Sequence, residues 1–457
     1  MEKIRRFEID GLFNRFNYSI DMSIGELPGL SIISAPNGYG KTTILKMIAS
    51  FSTGDFLIFF KEKYKAVRFF LTSDEYIEIT RGVDESDDTY ISLSNGVETS
   101  KITNPLSDNG FVNIVNVIDK YLPYLRRVGP RKWRDDRVGD IISLQMALSR
   151  YKSHPALKRT MRKRDVWVDK IISTLNVFTI STNRLSSDER LILRDDSEKN
   201  LMVVNIAENI KDKINEAIRN QFEDGRKKET SFPTRIIEAL SNQSFPSKES
   251  VLVDINKLKK LEDKYSRLGL IPNTETTNQF NTHIKGNSAN GAGLLVLKTY
   301  LEDVLEKFAL LDDLAEKLDI FTSSINSLLS FKEVMTTIDD GFVVKLIDGD
   351  ETPLDLESLS SGEQHLLVLI GRLIFETSKE CMVLIDEPEI SFHPEWQERF
   401  IGILSEIRKM NGFDVVLATH SPVLIGDLYW DYVVELSDQY SPSEKVLVSD
   451  IDISLGE

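Results

Sequence analysis

Ser31-Ile-Ile-Ser-Ala-Pro-Asn-Gly-Tyr-Gly-Lys-Thr-Thr43 reads as a short apolar strand, a tight glycine-containing loop and the first turn of a helix. The pattern G-x-x-x-x-G-K-[ST] is met at Gly40, Lys41 and Thr42, with Ala35 in place of the first glycine. The loop chemistry survives that change. Backbone N–H groups from Asn37 through Gly38, Tyr39 and Gly40 to Thr43 can wrap a β-phosphate, Lys41 can reach the β- and γ-phosphates, and the Thr42 hydroxyl can ligate Mg²⁺. Gly38 and Gly40 permit so close a backbone approach.

Three later stretches supply matching chemistry. Leu359-Ser-Ser-Gly-Glu-Gln364 precedes an apolar helical run, so Ser360, Ser361, Gly362 and Glu363 lie at a helix N-terminus, a second place for an anion. Met382-Val-Leu-Ile-Asp-Glu387 is an apolar strand ending in two carboxylates. Asp386 suits Mg²⁺ held through water, and Glu387 suits polarising the attacking water as general base. Adjacent carboxylates alone are a weak signal, and the phosphate loop is what gives them meaning. Asp414-Val-Val-Leu-Ala-Thr-His420 is another apolar strand, which brings His420 to the same sheet edge, where an imidazole can donate to a γ-phosphate or orient water.

Composition sets the frame. At 457 residues, 41% of them hydrophobic, the chain can bury a large core and hold two or three domains. No apolar run approaches the roughly 18 residues of a membrane span, and the first ten residues lack a signal peptide's apolar stretch, so a cytoplasmic protein without membrane partners is expected. The single cysteine, Cys381, excludes an internal disulfide and a cysteine-based zinc cluster, and reads as a small buried strand residue. Net charge is −16 and the pI is near 5.0, against a protein coated in nucleic acid. Residues 126–164 break the pattern with 13 Lys/Arg against 3 Asp/Glu, a balance of +10 that leaves −26 for the other 418 residues. Interleaved with Trp133 and Tyr151 and followed by Trp167, this basic island suits phosphate backbones and exposed bases, or an acidic partner surface, or a plain solvated face.

Along the chain, alternating stretches at Ile4–Ile9 and Asn17–Met22 predict two strands, and residues 64–103 an antiparallel meander. Phe13 or Phe16 can stack on adenine or simply pack on that meander. From about 186 to 330 the pattern is helical. Val203, Ala207, Ile210, Ile214 and Ala217 predict a helix of about 25 residues stopped at Asp224-Gly225. Leu297 through Leu329 keep a heptad step that predicts one long helix, its seam partnered between Val251 and Leu268, after a polar Thr276–Gly293 loop. These helices form either an antiparallel arm or a compact helical subdomain. Gly341–Ile347 and Leu354–Leu359 predict a hairpin before the chemistry resumes.

The phosphate loop, Leu359-Ser-Ser-Gly-Glu-Gln364, Asp386-Glu387-Pro388 with the following Ser391-Phe-His-Pro394, and Ala418-Thr-His-Ser-Pro422 together resemble the ABC-type ATPase head shared by SMC proteins, RecF and OLD-family ATPases. The resemblance implies an α/β fold: a mixed sheet carrying the phosphate loop, an N-terminal antiparallel β subdomain and an inserted helical arm or subdomain. It divides the chain into residues 1–185, the N-terminal part of the head with a basic helical insertion at about 110–175; residues 186–333, the helical part; and residues 334–457, the C-terminal part of the head. It implies ATP and Mg²⁺ as ligands, Ser360 and Gly362 contacting the γ-phosphate held by another subunit's Lys41, and hence a head-to-head dimer. The family's glutamine loop falls at Thr182–Leu185, where Asn183 stands in the glutamine place. Within the family, Arg126–Trp133, Ser181–Leu185 and Asp386–Glu389 look most like ATPases of bacterial phage-defence systems of the Septu or PARIS type, which work beside a separate nuclease or toxin. With about 37 residues after His420, a nuclease is expected on another chain. A RecF- or SMC-like DNA-repair or chromosome-associated ATPase is the alternative.

Overall fold

The computed structural model describes residues 2–22, 29–84, 89–104, 108–137, 139–151, 154–157, 164–181, 202–241, 245–272, 291–349 and 352–440. The chain divides into two compact units, Met1–Lys199 with Thr377–Glu457, and Asn200–Glu376.

The first unit opens with β1 (Ile4–Leu12) and β2 (Phe16–Asp21), continues into β3 (Leu30–Ser34) and the helix Lys41–Thr53, and adds β4 (Ala66–Leu71), β5 (Tyr76–Val83), β6 (Thr89–Ser94) and β7 (Thr99–Thr103). All of these strands except β3 form one antiparallel sheet in the order β2-β1-β4-β5-β6-β7. The expected meander is there, with the first hairpin added at its edge. Residues alternate between core and surface along β2, Phe16, Tyr18 and Ile20 inward and Asn17, Ser19 and Asp21 outward, as a sheet with one wet face requires.

After the helix Asp108–Tyr121 come β8 (Leu125–Gly129), β9 (Lys132–Asp135) and β10 (Ile141–Ser143), a small antiparallel sheet, then the helices Leu144–Arg150 and Val166–Thr174 and the strand β11 (Val177–Ile180). The insertion read from sequence as helical therefore also contains a three-stranded sheet. Its strand period was visible in Lys132-Trp-Arg-Asp135, where Trp133 and Asp135 are buried and Lys132 and Arg134 exposed. Trp133 is the centre of a separate small core with Ile118, Leu125, Ile142 and Leu148, and its indole N–H donates to Asp119 at 3.0 Å. Asp135, fully buried, accepts from the Tyr151 hydroxyl at 2.5 Å and Arg150 at 3.0 Å. Those two partners make its burial tolerable.

In the second unit the helix Met202–Ser241 runs through Gly225 and Pro233 and is 40 residues long, not the shorter helix expected to stop at Asp224-Gly225. Gly225 is buried with the flexible end of the Lys307 side chain against it, and the helix continues past it without a break. The helices Lys248–Arg267 and Gly291–Ala309 join through Val251, Ile255, Leu258, Leu294 and Leu301, the expected seam. The single long helix is broken at Leu310–Leu311 and restarts as Asp312–Asn326. Asp312 and Asp313 fall in the new first turn, where carboxylates offset the helix dipole, and Asp312 accepts from the Tyr265 hydroxyl. Heptad counting reads only the apolar positions and passes over that restart. Gly341–Leu346 (β13) pairs with the preceding Lys332–Thr337 (β12) and not with the expected Leu354–Leu359, of which only Leu354 bridges Val344; this hairpin and the helix Ser361–Phe375 complete the unit.

Returning to the first unit, β14 (Met382–Asp386), the helix Pro394–Asn411, β15 (Asp414–Thr419) and β16 (Val433–Glu435) close the chain. A second sheet has the order β11-β14-β15-β3-β16 with every pairing parallel. The sheet that carries the loop after β3 is thus purely parallel, and the antiparallel pairings lie in the other sheets. The helix Lys41–Thr53 gives Ile44, Met47, Ile48 and Phe51 to one core shared with Phe7 and Phe69 of the antiparallel sheet and Leu384, Val416 and Ala418 of the parallel one. Phe51 stacks on Phe69 with centroids 4.1 Å apart. That core anchors the phosphate loop.

Candidate nucleotide site

The register of the parallel sheet sets the site. Asp386 pairs with Ala418, Ala418 with Ile33, and Thr419 with Ser34, so three strands end level and their following loops meet at one carboxyl edge. From the end of β3, Pro36, Asn37 and Gly38 are exposed, and Gly38 and Gly40 adopt φ of 91° and 93°. At Gly40 a side chain would be strained by the positive φ, and its β-carbon would come within 2.8 Å of the Leu12 side chain, which would have to shift. The Tyr18 hydroxyl donates to the Tyr39 carbonyl at 3.0 Å, and the Tyr39 ring packs on Phe16 and Tyr440. The loop is held from outside itself.

Lys41 is 4% exposed. Its ammonium donates to the carbonyls of Ala35 at 2.7 Å and Pro36 at 3.4 Å and lies 3.8 Å from Glu387 Oε1. A buried cation at a helix N-terminus, among carbonyls and one carboxylate, fits a phosphate chain. The Thr42 hydroxyl lies 3.1 and 3.0 Å from the two Asp386 oxygens. Together they offer the hard oxygen donors Mg²⁺ takes from protein when phosphates and waters supply the rest.

Glu387 sits just past β14 at φ 45°, a left-handed conformation costly for a residue with a β-carbon, and its N–H donates to Ala418 O at 2.8 Å. Glu387 Oε1 lies 3.7 Å from His420 Nδ1. Glu389, which sequence reasoning did not place in the site, is buried; its Oε1 accepts from the Thr419 hydroxyl at 2.7 Å and the His420 backbone N–H at 2.9 Å, and lies 2.9 Å from His420 Nδ1. The available signal was a third acid in Asp386-Glu-Pro-Glu389, at the end of an acidic strand terminus. A pocket of about 510 Å³ opens beside His420, lined in part by Glu389, Ser391, Gln397 and Ser421.

The two aromatic candidates for adenine separate. Phe16 is 6% exposed and stacks on Tyr18 in the core, whereas Phe13 is 39% exposed with its ring edge 3.3 Å from the β-carbon position of Gly40. Asn183 lies outside the described residues. In the second unit, Ser360 caps the helix Ser361–Phe375 in a reciprocal box: Glu363 N–H donates to Ser360 Oγ at 3.4 Å, while Ser360 N–H donates to Glu363 Oε2 at 2.8 Å. Lys332 donates to both Glu363 oxygens at 2.7 and 2.9 Å. Burial alone would raise the Glu363 carboxyl, but the bonds from Lys332 and Ser360 outweigh it and hold it below the usual range. Glu363 is thus engaged in its own cap, while Ser360 and Ser361 are exposed.

In the basic island the stacking idea does not hold for the described aromatics. Trp133 and Tyr151 are core residues, and Trp167 packs on the larger core. The exposed cations include Arg126, Arg127, Arg131, Lys132 and Arg134, of which Arg126 pairs with Asp136 at 2.6 Å. No described helix is long and apolar enough to cross a membrane.

Residues 211–426, a little under half of the chain, match the AAA domain family described as a putative AbiEii toxin of a type IV toxin–antitoxin system. A stretch of 96 residues, 21% of this chain, is 32% identical to protein ea59 of Escherichia phage lambda and spans only 18% of that protein. Among solved structures, the Smc head domain of Pyrococcus furiosus, bound to the C-terminal domain of ScpA, aligns over 93% of this chain and 91% of its own at 13% identity and a TM-score of 0.33. The SMC head domain of Thermotoga maritima aligns over the same shares at 9% identity and 0.32. Scores of that size carry no argument about function or assembly.

Proposed function

We propose that this chain binds Mg²⁺-ATP, hydrolyses it slowly as a head-to-head dimer, and thereby regulates a separate effector, a nuclease, in bacterial defence against phage. The observation that carries the ATPase reading is the meeting of Lys41, Thr42, Asp386, Glu387 and His420 at one sheet edge. Lys41 and the loop N–H groups hold the β- and γ-phosphates. Thr42 and Asp386 would hold Mg²⁺, which would supply positive charge to offset that of the phosphates. Glu387 accepts the proton of the attacking water, and His420 orients the water or donates to the γ-phosphate. Phe13, exposed beside the loop, offers its face to adenine. Ser360, Ser361 and Gly362 supply N–H and hydroxyl donors to a nucleotide on a second copy, so turnover waits on dimer closure.

The matched family's description as a toxin–antitoxin component supports the defence setting. The test is reconstitution. Purified alone with Mg²⁺ or Mn²⁺ and ATP, the chain leaves DNA and RNA uncut, and with the product of its genomic neighbour it gains a nucleotide-dependent activity. Robust cleavage by the isolated chain, lost in Lys41→Ala, would refute the regulator reading. The exposed cations of residues 126–134 favour a second reading, a RecF- or SMC-like ATPase acting on DNA, which predicts salt-dependent duplex binding and a repair or replication neighbour.

A further inference from the structure

Glu389 lies three residues beyond the Mg²⁺-suited Asp386, and all three of its short contacts fall on Thr419 and His420. A carboxylate oxygen that already accepts from a hydroxyl and a backbone N–H can only accept again, so a proton placed between it and the ring is carried by His420 Nδ1. Two acids face that nitrogen: Glu389 at 2.9 Å, within hydrogen-bond reach, and Glu387 at 3.7 Å, outside it. Only one can hold the proton. Glu389 is also the better fixed of the two, its side chain 4% exposed against 19% for Glu387. Its second oxygen, Oε2, is buried with no hydrogen-bond partner among the described residues, so this carboxylate is kept dry at a cost that capping a strand end does not explain.

We infer that Glu389 is a positioning residue for ATP hydrolysis: it holds the His420 ring through Nδ1–H, leaves Nε2 as the nitrogen that meets nucleotide or water, and keeps the His420 proton off Glu387. Without it, His420 turns its Nδ1–H to the other acid, and the base commits an oxygen to an internal hydrogen bond. The inference rests on the ATPase reading for its consequence in turnover, but the ring contact itself does not.

Two measurements separate these levels. Glu389→Ala is expected to lower kcat for ATP about 10- to 100-fold, the usual loss when a group orienting a histidine is removed, with KM changed less than about threefold. Glu389→Gln, which keeps an acceptor oxygen, returns most of the rate. In a His420→Ala background, Glu389→Ala has no further effect, because its route runs through the ring. Independently, ¹⁵N-labelled histidine spectra, with His420 assigned by its loss in His420→Ala, show the Nδ1–H tautomer in the wild type and a shift toward Nε2–H in Glu389→Ala. If Glu389→Ala fails to fold, Glu389→Asp, whose shorter chain withdraws the oxygen, is compared with Glu389→Gln by the same spectra. An unchanged tautomer, or rate losses that multiply in the double variant, would overturn the assignment. Absence of wild-type turnover refutes the ATPase reading alone, and the spectra still decide for or against Glu389.

Discussion

Lys41→Met tests the site at its most committed residue. The lysine is 4% exposed, and its ammonium donates to Ala35 O at 2.7 Å and Pro36 O at 3.4 Å with Glu387 at 3.8 Å. Methionine fills nearly the same volume without charge, so no cavity opens. Folding loses those bonds and leaves two loop carbonyls short of a donor, but it no longer keeps a cation dry. The two effects oppose each other, and the net change is expected within about 2 kcal/mol. Nucleotide binding has no such offset. Charge-assisted hydrogen bonds contribute about 1.5–3 kcal/mol each, so losing contacts to two phosphates costs about 3–6 kcal/mol. At about 1.4 kcal/mol per decade that is a Kd for ATP raised roughly 100- to 10,000-fold. Calorimetric titration with Mg²⁺-ATP, paired with thermal unfolding of both proteins, measures the two quantities on the same samples. A Met variant that binds ATP within about threefold of wild type while folding normally would refute the placement of phosphates on this loop.

Glu387→Gln is expected to bind ATP near wild-type affinity, to fail in turnover, and to accumulate closed dimers by light scattering; full turnover would remove Glu387 as the base. Reversing Arg131, Lys132 and Arg134 to Glu weakens contact with a polyanion or acidic partner, most at low salt, as measured by binding isotherms across a salt series; identical isotherms at every salt would leave the island a solvated face. Glu363→Ala is expected to cost about 1–2 kcal/mol at pH 7 through loss of its cap and ion pair. Because the Glu363 carboxyl is held below its ordinary range, this contribution is complete above the ordinary carboxylate pKa and fades as pH falls through the lowered one. The gap between wild type and variant in urea melts should therefore narrow from about pH 5 toward about pH 3, and a gap that widens would contradict the sign.

The meeting of the candidate residues at one sheet edge was legible because its signals are local. The phosphate loop, Asp386 and His420 each stand at the end of an apolar strand of five or six residues, and strands of that kind in a parallel sheet deliver their ends to one place. Glu389 was not legible in that way, since its partner lies 31 residues on and only the pairing of β14 with β15 joins them. The helix through Gly225 and the break at Leu310–Leu311 were misread for a related reason. A glycine weakens an isolated helix, yet the part after Gly225 is tied to the helix Gly291–Ala309 through Lys228 with Glu306 and Arg235 with Asp303, and the restart at Asp312 is announced by charge and not by periodicity. In the basic island the cations drew the eye, and the alternation that buries Trp133 between Lys132 and Arg134 was the truer signal.

The left-handed backbone at Glu387 sets folding against function at a single position. Glycine there would relax a conformation that costs a side-chain-bearing residue about 1 kcal/mol or more, and would remove the carboxylate proposed to activate water. In a library of this protein ranked by heat resistance alone, relief of that strain competes with the entropy cost of glycine and with loss of the carboxylate beside the buried Lys41, and any enrichment of Glu387→Gly would discard the proposed base. Any thermostable variant obtained that way should be sequenced at position 387 before its inactivity is blamed on lost flexibility.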